Sequence, residues 1–172
     1  MRTVFDTEQI EARLSVLADE VVSDLGPNFT MVPILTGGFV FAADLARALY
    51  RAKADPEIDF IQLSSYGAGR VSSGDVQLVK DVTASVEDQT ILLVDDVLDS
   101  GRSISFVRDL FAGRGARRIV TCVAVDKTYI TDRGFSAEHS LFDMTESAYL
   151  VGYGMDDAGA LRGLPTISAL QD

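Results

Sequence analysis

An apolar run that ends in adjacent carboxylates constrains this chain more than any other stretch: Ile91-Leu92-Leu93-Val94-Asp95-Asp96-Val97-Leu98-Asp99-Ser100-Gly101-Arg102-Ser103. Ile91 to Val94 reads as a buried strand, and the periodic pattern from Ser103 to Ala112 reads as the helix that follows. Asp95 and Asp96 then stand at the mouth of the strand, placed to hold hydroxyls or a hydrated cation. The turn after Asp99 exposes backbone N–H groups at a helix N-terminus, a site that attracts phosphate. A sugar with a phosphate at one end and hydroxyls at the other matches this layout. A strand, an acidic turn and an N-capped helix without a ligand would account for the turn. It would not account for three acids crowding one strand end, where like charges repel.

The rest of the chain alternates strand and helix. Asp6 or Thr7 begins a helix, with Asp6 and Gln9 approximating a capping box. Ile10, Leu14, Leu17, Val21 and Leu25 recur at helical spacing before Gly26-Pro27 ends the pattern. Thr30 to Leu35 reads as a short buried strand, Thr36-Gly37-Gly38 as a turn, and Phe39 to Ala52 as a helix. Ile58 to Ser64 reads as a strand, and Val76 to Val82 as its return across the polar, glycine-rich stretch from Ser65 to Gly74. Ile119 to Val125 is a further buried strand, and short strands are expected at Leu141-Phe142 and Tyr149 to Gly152. This order predicts an α/β fold, a parallel sheet with helices on both faces. Ligands then lie beyond the carboxyl ends of the strands, where each of these motifs falls.

The Ile91–Ser103 segment resembles the phosphoribosyl-diphosphate-binding motif of type I phosphoribosyltransferases, in which two acids close an apolar strand and a five-residue turn holds the 5-phosphate. From about Thr30 to Pro165 the chain resembles the hypoxanthine-guanine phosphoribosyltransferase subfamily. The resemblance implies a twisted parallel sheet flanked by helices, with a small hood and a mobile hairpin loop. It implies one domain over residues 1–172, the core at about 27–130 and the hood built from the N- and C-terminal segments. The reaction implied joins hypoxanthine or guanine to 5-phosphoribosyl 1-diphosphate, releasing diphosphate, with Mg²⁺ as cofactor. A homodimer or homotetramer is implied as well.

Residue roles follow from the resemblance. Asp95 and Asp96 would hold the ribose hydroxyls, directly or through hydrated Mg²⁺, and Ser100, Gly101, Arg102 and Ser103 the 5-phosphate. Asp99 would serve as general acid/base at N7 of the base. Leu35-Thr36-Gly37-Gly38 matches the diphosphate loop, in which the peptide bond after the Leu position is often cis; the family usually has Lys or Arg where Thr36 stands. Ser65-Tyr66 would form a lid that excludes water from the reacting sugar. Lys127 would donate to O6 of a 6-oxopurine and so reject adenine, whose donor would face its own. Tyr149 would stack on the base, with Leu150 beside it. Asp156 would contact Mg²⁺, and Arg162 the diphosphate. Taken singly, the Gly-Gly turn, Lys127 and Tyr149 would read as a plain turn, a solvated strand-end lysine and core.

The chain carries a net charge of −11 over 172 residues. That argues against a nucleic-acid binder, which needs a basic surface; the cluster Arg114 to Arg118 reads as a solvated turn. An acidic protein with an anionic substrate must rely on local Arg and Lys, helix ends and Mg²⁺. Cys122 is the single cysteine, consistent with a reducing, cytoplasmic setting, and no apolar run approaches membrane-spanning length. Neither G-x-x-x-x-G-K-[ST] nor a post-strand G-x-G-x-x-G occurs. Two other readings remain open. One is a phosphoribosyltransferase for xanthine or another base. The other is a non-catalytic regulator that senses phosphoribosyl diphosphate, although such a sensor has no need of Lys127 and Tyr149.

Overall fold

Buried parallel strands are apolar on both faces, and the strand ending in the acidic pair has this character. In a computed structural model, which describes residues 1–65 and 76–170, thirteen elements follow one another. They are β1 (Arg2–Phe5), α1 (Thr7–Leu25), β2 (Thr30–Leu35), α2 (Phe39–Arg51), β3 (Glu57–Ile58), β4 (Ile61–Ser65), β5 (Val76–Lys80), β6 (Thr90–Leu98), α3 (Arg102–Gly113), β7 (Arg118–Lys127), β8 (His139–Met144), β9 (Tyr149–Val151) and β10 (Ile167–Leu170). The larger sheet runs β5-β4-β2-β6-β7-β8, with β3 also paired to β2. Its pairs are parallel except β4–β5.

Side chains alternate across this sheet. Leu92 and Val94 of β6 enter one core with α1 and α2, while Ile91 and Leu93 enter a second core with α3. Helices therefore cover both faces. The first helix begins as its sequence dictates: Asp6 accepts from the Gln9 N–H while the Gln9 side chain accepts from the Asp6 N–H, both at 2.9 Å. The reciprocal bonds satisfy donors that a helix start otherwise leaves unpaired.

A second, antiparallel sheet of β1, β10 and β9 joins the two ends of the chain. It forms the hood over the carboxyl ends of the larger sheet. Phe5 stacks on Phe142 with ring centroids 3.8 Å apart, tying the hood to β8.

Several boundaries differ from the sequence expectation. The strand expected over Ile91 to Val94 continues to Leu98, so Asp95 and Asp96 lie within it. Its ladder with β7 persists through Asp95↔Val123, Val97↔Val125 and Leu98↔Asp126. The strand expected over Ile58 to Ser64 is interrupted at Asp59, whose carboxylate accepts the backbone N–H groups of Phe60 at 2.7 Å, Thr83, and Ala84 at 3.1 Å. Bonds to its neighbour and to a distant loop replace the ladder there. The lid expected at Ser65-Tyr66 lies outside the described residues, apart from the Ser65 backbone that ends β4.

Candidate active site

The carboxyl ends of β2, β4 and β6 and the start of α3 enclose a cleft of about 290 Å³. Asp95, Asp96 and Asp99 all line it, as do Ser100, Gly101, Arg102 and Ser103 of the turn, Gly37, Asp156 and Arg162. A second cleft of about 160 Å³ adjoins it, lined by Lys127, Tyr149, Leu150 and Met155. Asp96, Val97, Asp99 and Asp156 line both clefts, so the two share a wall. Val97 and Met155 carried no chemical signal in the sequence. Apolar residues beside a polar motif read as core until the fold exposes them.

The turn that opens α3 has no side-chain cap. Gly101 holds a left-handed φ of 74° at the N-cap position, and its carbonyl accepts the Ser105 N–H at 2.8 Å. The first-turn residues Arg102, Ser103 and Ile104 border the cleft. Helix polarity there favours an anion.

Asp95 and Asp96 lie against the turn after β2. Asp95 is buried and Asp96 partly so. The Asp95 Oδ1 accepts the Asp96 N–H at 2.9 Å, and the Asp96 Oδ1 accepts the Val97 N–H at 2.8 Å. Burial, and then the adjacent Asp96 charge, push the Asp95 carboxyl well above the ordinary carboxylate range. Asp96 is raised as well, chiefly by burial, with the Arg162 charge among the influences opposing the shift.

Two glycines let the backbone close around this pair. A side chain on Gly37 would collide with the Asp96 carboxylate, and one on Gly154 with the Gly37 carbonyl. The hood, the β2 turn and the acidic strand thus meet without side chains between them. The Leu35–Thr36 peptide bond is cis. Gly37 borders the cleft; exposed Thr36 and buried Gly38 are not among its lining residues. Gly38 instead packs closely on the Ile34 and Val94 carbonyls.

At the second cleft, the Lys127 Nζ lies 2.5 Å from the Asp99 Oδ2. The Tyr149 hydroxyl donates to the Asp156 carbonyl at 3.1 Å. Arg162 pairs with Asp156 at 2.7 Å and donates to the Gly154 carbonyl at 2.6 Å, while Asp156 also accepts the Gly159 N–H at 2.6 Å.

Comparison with known proteins decides the family. Residues 2–139 match the phosphoribosyl transferase domain. The hypoxanthine-guanine phosphoribosyltransferase of Aquifex aeolicus is 34% identical, the match covering 100% of this chain and 96% of that one. The chain belongs to the hypoxanthine-guanine phosphoribosyltransferases.

Solved structures of this family agree in fold. One from Bacillus anthracis, with HEPES in its active site, superposes with a TM-score of 0.89 at 32% identity over 99% of both chains. The Trypanosoma cruzi hypoxanthine phosphoribosyltransferase in complex with the product IMP gives 0.89 at 28% identity over 99% of this chain and 94% of that one.

Family membership implies a magnesium ion, and the donor set accommodates one. Among the described residues, no three carboxylate, imidazole or thiolate groups form a metal cage. Magnesium needs none when substrate phosphates and water complete its octahedron around one or two carboxylates. Asp95 and Asp96 supply hard oxygens, and a cation would offset the burial that raises both carboxyls and the Asp96 charge that raises Asp95 further. Asp156 is engaged by Arg162 and Gly159 instead.

Sequence reasoning missed Arg133, which lies in the β7–β8 connection and donates to the backbone beside both Asp99 and Lys127. That connection has no periodicity, and only the fold brings it to the site.

Proposed function

We propose that this chain is a purine-salvage enzyme that converts hypoxanthine or guanine and 5-phosphoribosyl 1-diphosphate to the nucleoside 5′-monophosphate and diphosphate. The observation that carries this reading is the pair of adjoining clefts sharing Asp99, one bordered by the Ser100–Ser103 turn and the other by Lys127.

The chemistry follows the charges. The bond from C1′ to diphosphate breaks as N9 of the base approaches the opposite face, and positive charge develops on the ribose ring. The amides and hydroxyls of Ser100 to Ser103 hold the 5-phosphate. Asp95 and Asp96 hold the ribose hydroxyls, and their negative charge lies near the ring where positive charge develops. Magnesium, when bound by Asp95 and Asp96, neutralises the leaving diphosphate. Gly37 and Gly38 offer backbone to that group, with Thr36 beside them and Arg162 supplying positive charge. Asp156 holds Arg162 in place; a direct role at the metal would require it to leave that pair.

On the base side, Lys127 donates to O6 and Asp99 shares a proton at N7. These two atoms share one edge of a 6-oxopurine, which suits two side chains that already touch. Tyr149 and Leu150 cover the ring. The whole chain acts as one domain and assembles as a homodimer or homotetramer. The single buried cysteine and acidic composition suit the cytoplasm.

The test is a competition. The protein is incubated with phosphoribosyl diphosphate, Mg²⁺ and equal hypoxanthine, guanine, xanthine and adenine, and the nucleotides are identified by mass. IMP or GMP should dominate. Predominant XMP would favour the xanthine reading, and no nucleotide at all would favour a sensor.

A further inference from the structure

Beyond the pairing of Leu98 with Asp126, the ladder between β6 and β7 ends. Past that point β6 and β7 no longer pair with each other, although β7 still pairs with β8 at Lys127, whose carbonyl also accepts the Ile130 N–H at 3.0 Å. Backbone carbonyls are costly to bury unpaired. One guanidinium meets those at this strand end. Arg133 Nη1 donates to the Leu98 carbonyl at 2.8 Å, the Lys127 carbonyl at 3.2 Å and the Asp99 carbonyl at 3.3 Å. Its Nε donates to the Phe135 carbonyl at 2.9 Å. Its Nη2 pairs with the Asp126 carboxylate, whose other oxygen accepts the Ala137 N–H at 3.1 Å. The Arg133 and Asp126 side chains are only 2% and 3% exposed.

Two of the four residues whose carbonyls this fork grips, Asp99 and Lys127, are those whose side chains meet at 2.5 Å in the base cleft. Arg133 touches neither side chain in any hydrogen bond described, and it holds both main chains. We propose that Arg133 is a positioning residue of the base subsite: its guanidinium, anchored by Asp126, sets the spacing at which Asp99 and Lys127 meet the purine. This rests on the assignment of Asp99 and Lys127 to the base.

The residue type fits the task. A guanidinium carries donors on three nitrogens held in one rigid plane, so Nε, Nη1 and Nη2 of Arg133 reach Phe135, the Leu98, Asp99 and Lys127 carbonyls, and Asp126 at once; an ammonium offers its three donors from a single flexibly placed atom. A buried ion pair is also a weak source of stability, since an apolar pair of similar volume often serves as well. The geometric return from this pair lies in the carbonyls it fixes. The same segment also seats Phe135, whose ring carbons lie 3.1 Å from the position a Cβ would occupy on Gly101.

The test uses Arg133→Lys, Arg133→Met and the double variant Arg133→Met/Asp126→Asn. The double variant avoids the stranded Asp126 charge that Arg133→Met would leave, and its thermal midpoint reports its folding independently of activity. Kinetics are measured with each substrate varied, thermal midpoints by circular dichroism, and the Lys127–Asp99 separation by crystallography. Arg133→Lys should restore the thermal midpoint relative to Arg133→Met without restoring kcat/KM for hypoxanthine. Both Arg133→Lys and the double variant should lose about tenfold or more in that parameter, the order that small misplacements cost. The KM for phosphoribosyl diphosphate should stay within about threefold. In crystals of the double variant the Lys127–Asp99 contact should open past hydrogen-bond reach, about 3.5 Å.

Recovery of both stability and kcat/KM by Arg133→Lys would overturn the proposal. So would equal losses for both substrates, or an unchanged Lys127–Asp99 contact in the double variant. If the wild-type protein makes no nucleotide, the enzymatic reading fails on its own, and the crystallographic separation still decides the role of Arg133.

Discussion

The Lys127 ammonium and the Asp99 carboxylate touch at 2.5 Å, with Lys127 only 9% exposed and Asp99 51% exposed. Under the proposed assignment, a base that binds between them exchanges this ion pair for contacts at O6 and N7. The lysine is therefore held ready without remaining an unpaired buried charge, and the acid is oriented before substrate arrives.

The two partners separate by function when removed. Lys127→Ala should weaken binding of hypoxanthine far more than binding of phosphoribosyl diphosphate, as read by calorimetry with each ligand; equal weakening would mean that Lys127 does not read the base. Asp99→Asn should bind both substrates and lose about 10²–10⁴-fold in turnover, the usual worth of a general acid/base. Unchanged turnover would remove Asp99 from the mechanism.

Asp95 carries its negative charge at a cost in stability. Its carboxyl is raised by burial and by Asp96, so the folded chain binds its proton more tightly than the unfolded chain does. Stability then falls as pH rises through the folded value, and the penalty disappears below the unfolded value. Asp95→Asn, which can still accept the Asp96 N–H, should raise the thermal midpoint at neutral pH by a few degrees, about 2–4 °C per kcal/mol for a chain of this size. It should also flatten the pH dependence above the unfolded value and weaken phosphoribosyl diphosphate binding in Mg²⁺. A lowered midpoint would show that the repulsion is compensated in solution.

Thr36 stands where the family usually carries a cation. Thr36→Lys adds an exposed charge beside the diphosphate loop. Such a charge is worth up to about 1 kcal/mol, or about fivefold in affinity. The KM for phosphoribosyl diphosphate should fall by up to that factor and rise again with added salt. A constant or higher KM would place the diphosphate away from this turn.

Gly37 faces a steric limit rather than an electrostatic one, since a Cβ there would enter the space of the Asp96 carboxylate. Gly37→Ala should keep the far-ultraviolet circular dichroism of the parent and lose most of its affinity for phosphoribosyl diphosphate, because the carboxylate must move. Retained affinity would show that Asp96 can shift without consequence for the sugar.

Local rules made part of this structure legible in the sequence. Asp6 and Gln9 announced the start of α1, and Thr30–Leu35 was readable to the residue, because capping and apolar runs are local signals. Of the residues named from the resemblance, Asp95, Asp96, Asp99 and Ser100 to Ser103 line one cleft and Lys127, Tyr149 and Leu150 the other, while Thr36 and Gly38 line neither and Val97 and Met155 were not named. Long-range pairing was not legible. The hood strands Arg2–Phe5 and Ile167–Leu170 are four residues each and find their partners across nearly the whole chain. The extension of β6 through Asp95 and Asp96 was hidden for the same reason: adjacent acids read as a strand end, and only the β7 ladder carries the strand past them. Arg133 sits in a connection without period, so its four carbonyl partners exist only in three dimensions.

A crystal structure of the protein with IMP tests the central claim most directly. The 5′-phosphate should lie on the Ser100–Ser103 amides, the ribose hydroxyls toward Asp95 and Asp96, and O6 on Lys127 with the Lys127–Asp99 contact broken. A nucleotide bound outside the two clefts, or one bound within them while Lys127 still grips Asp99, would contradict it.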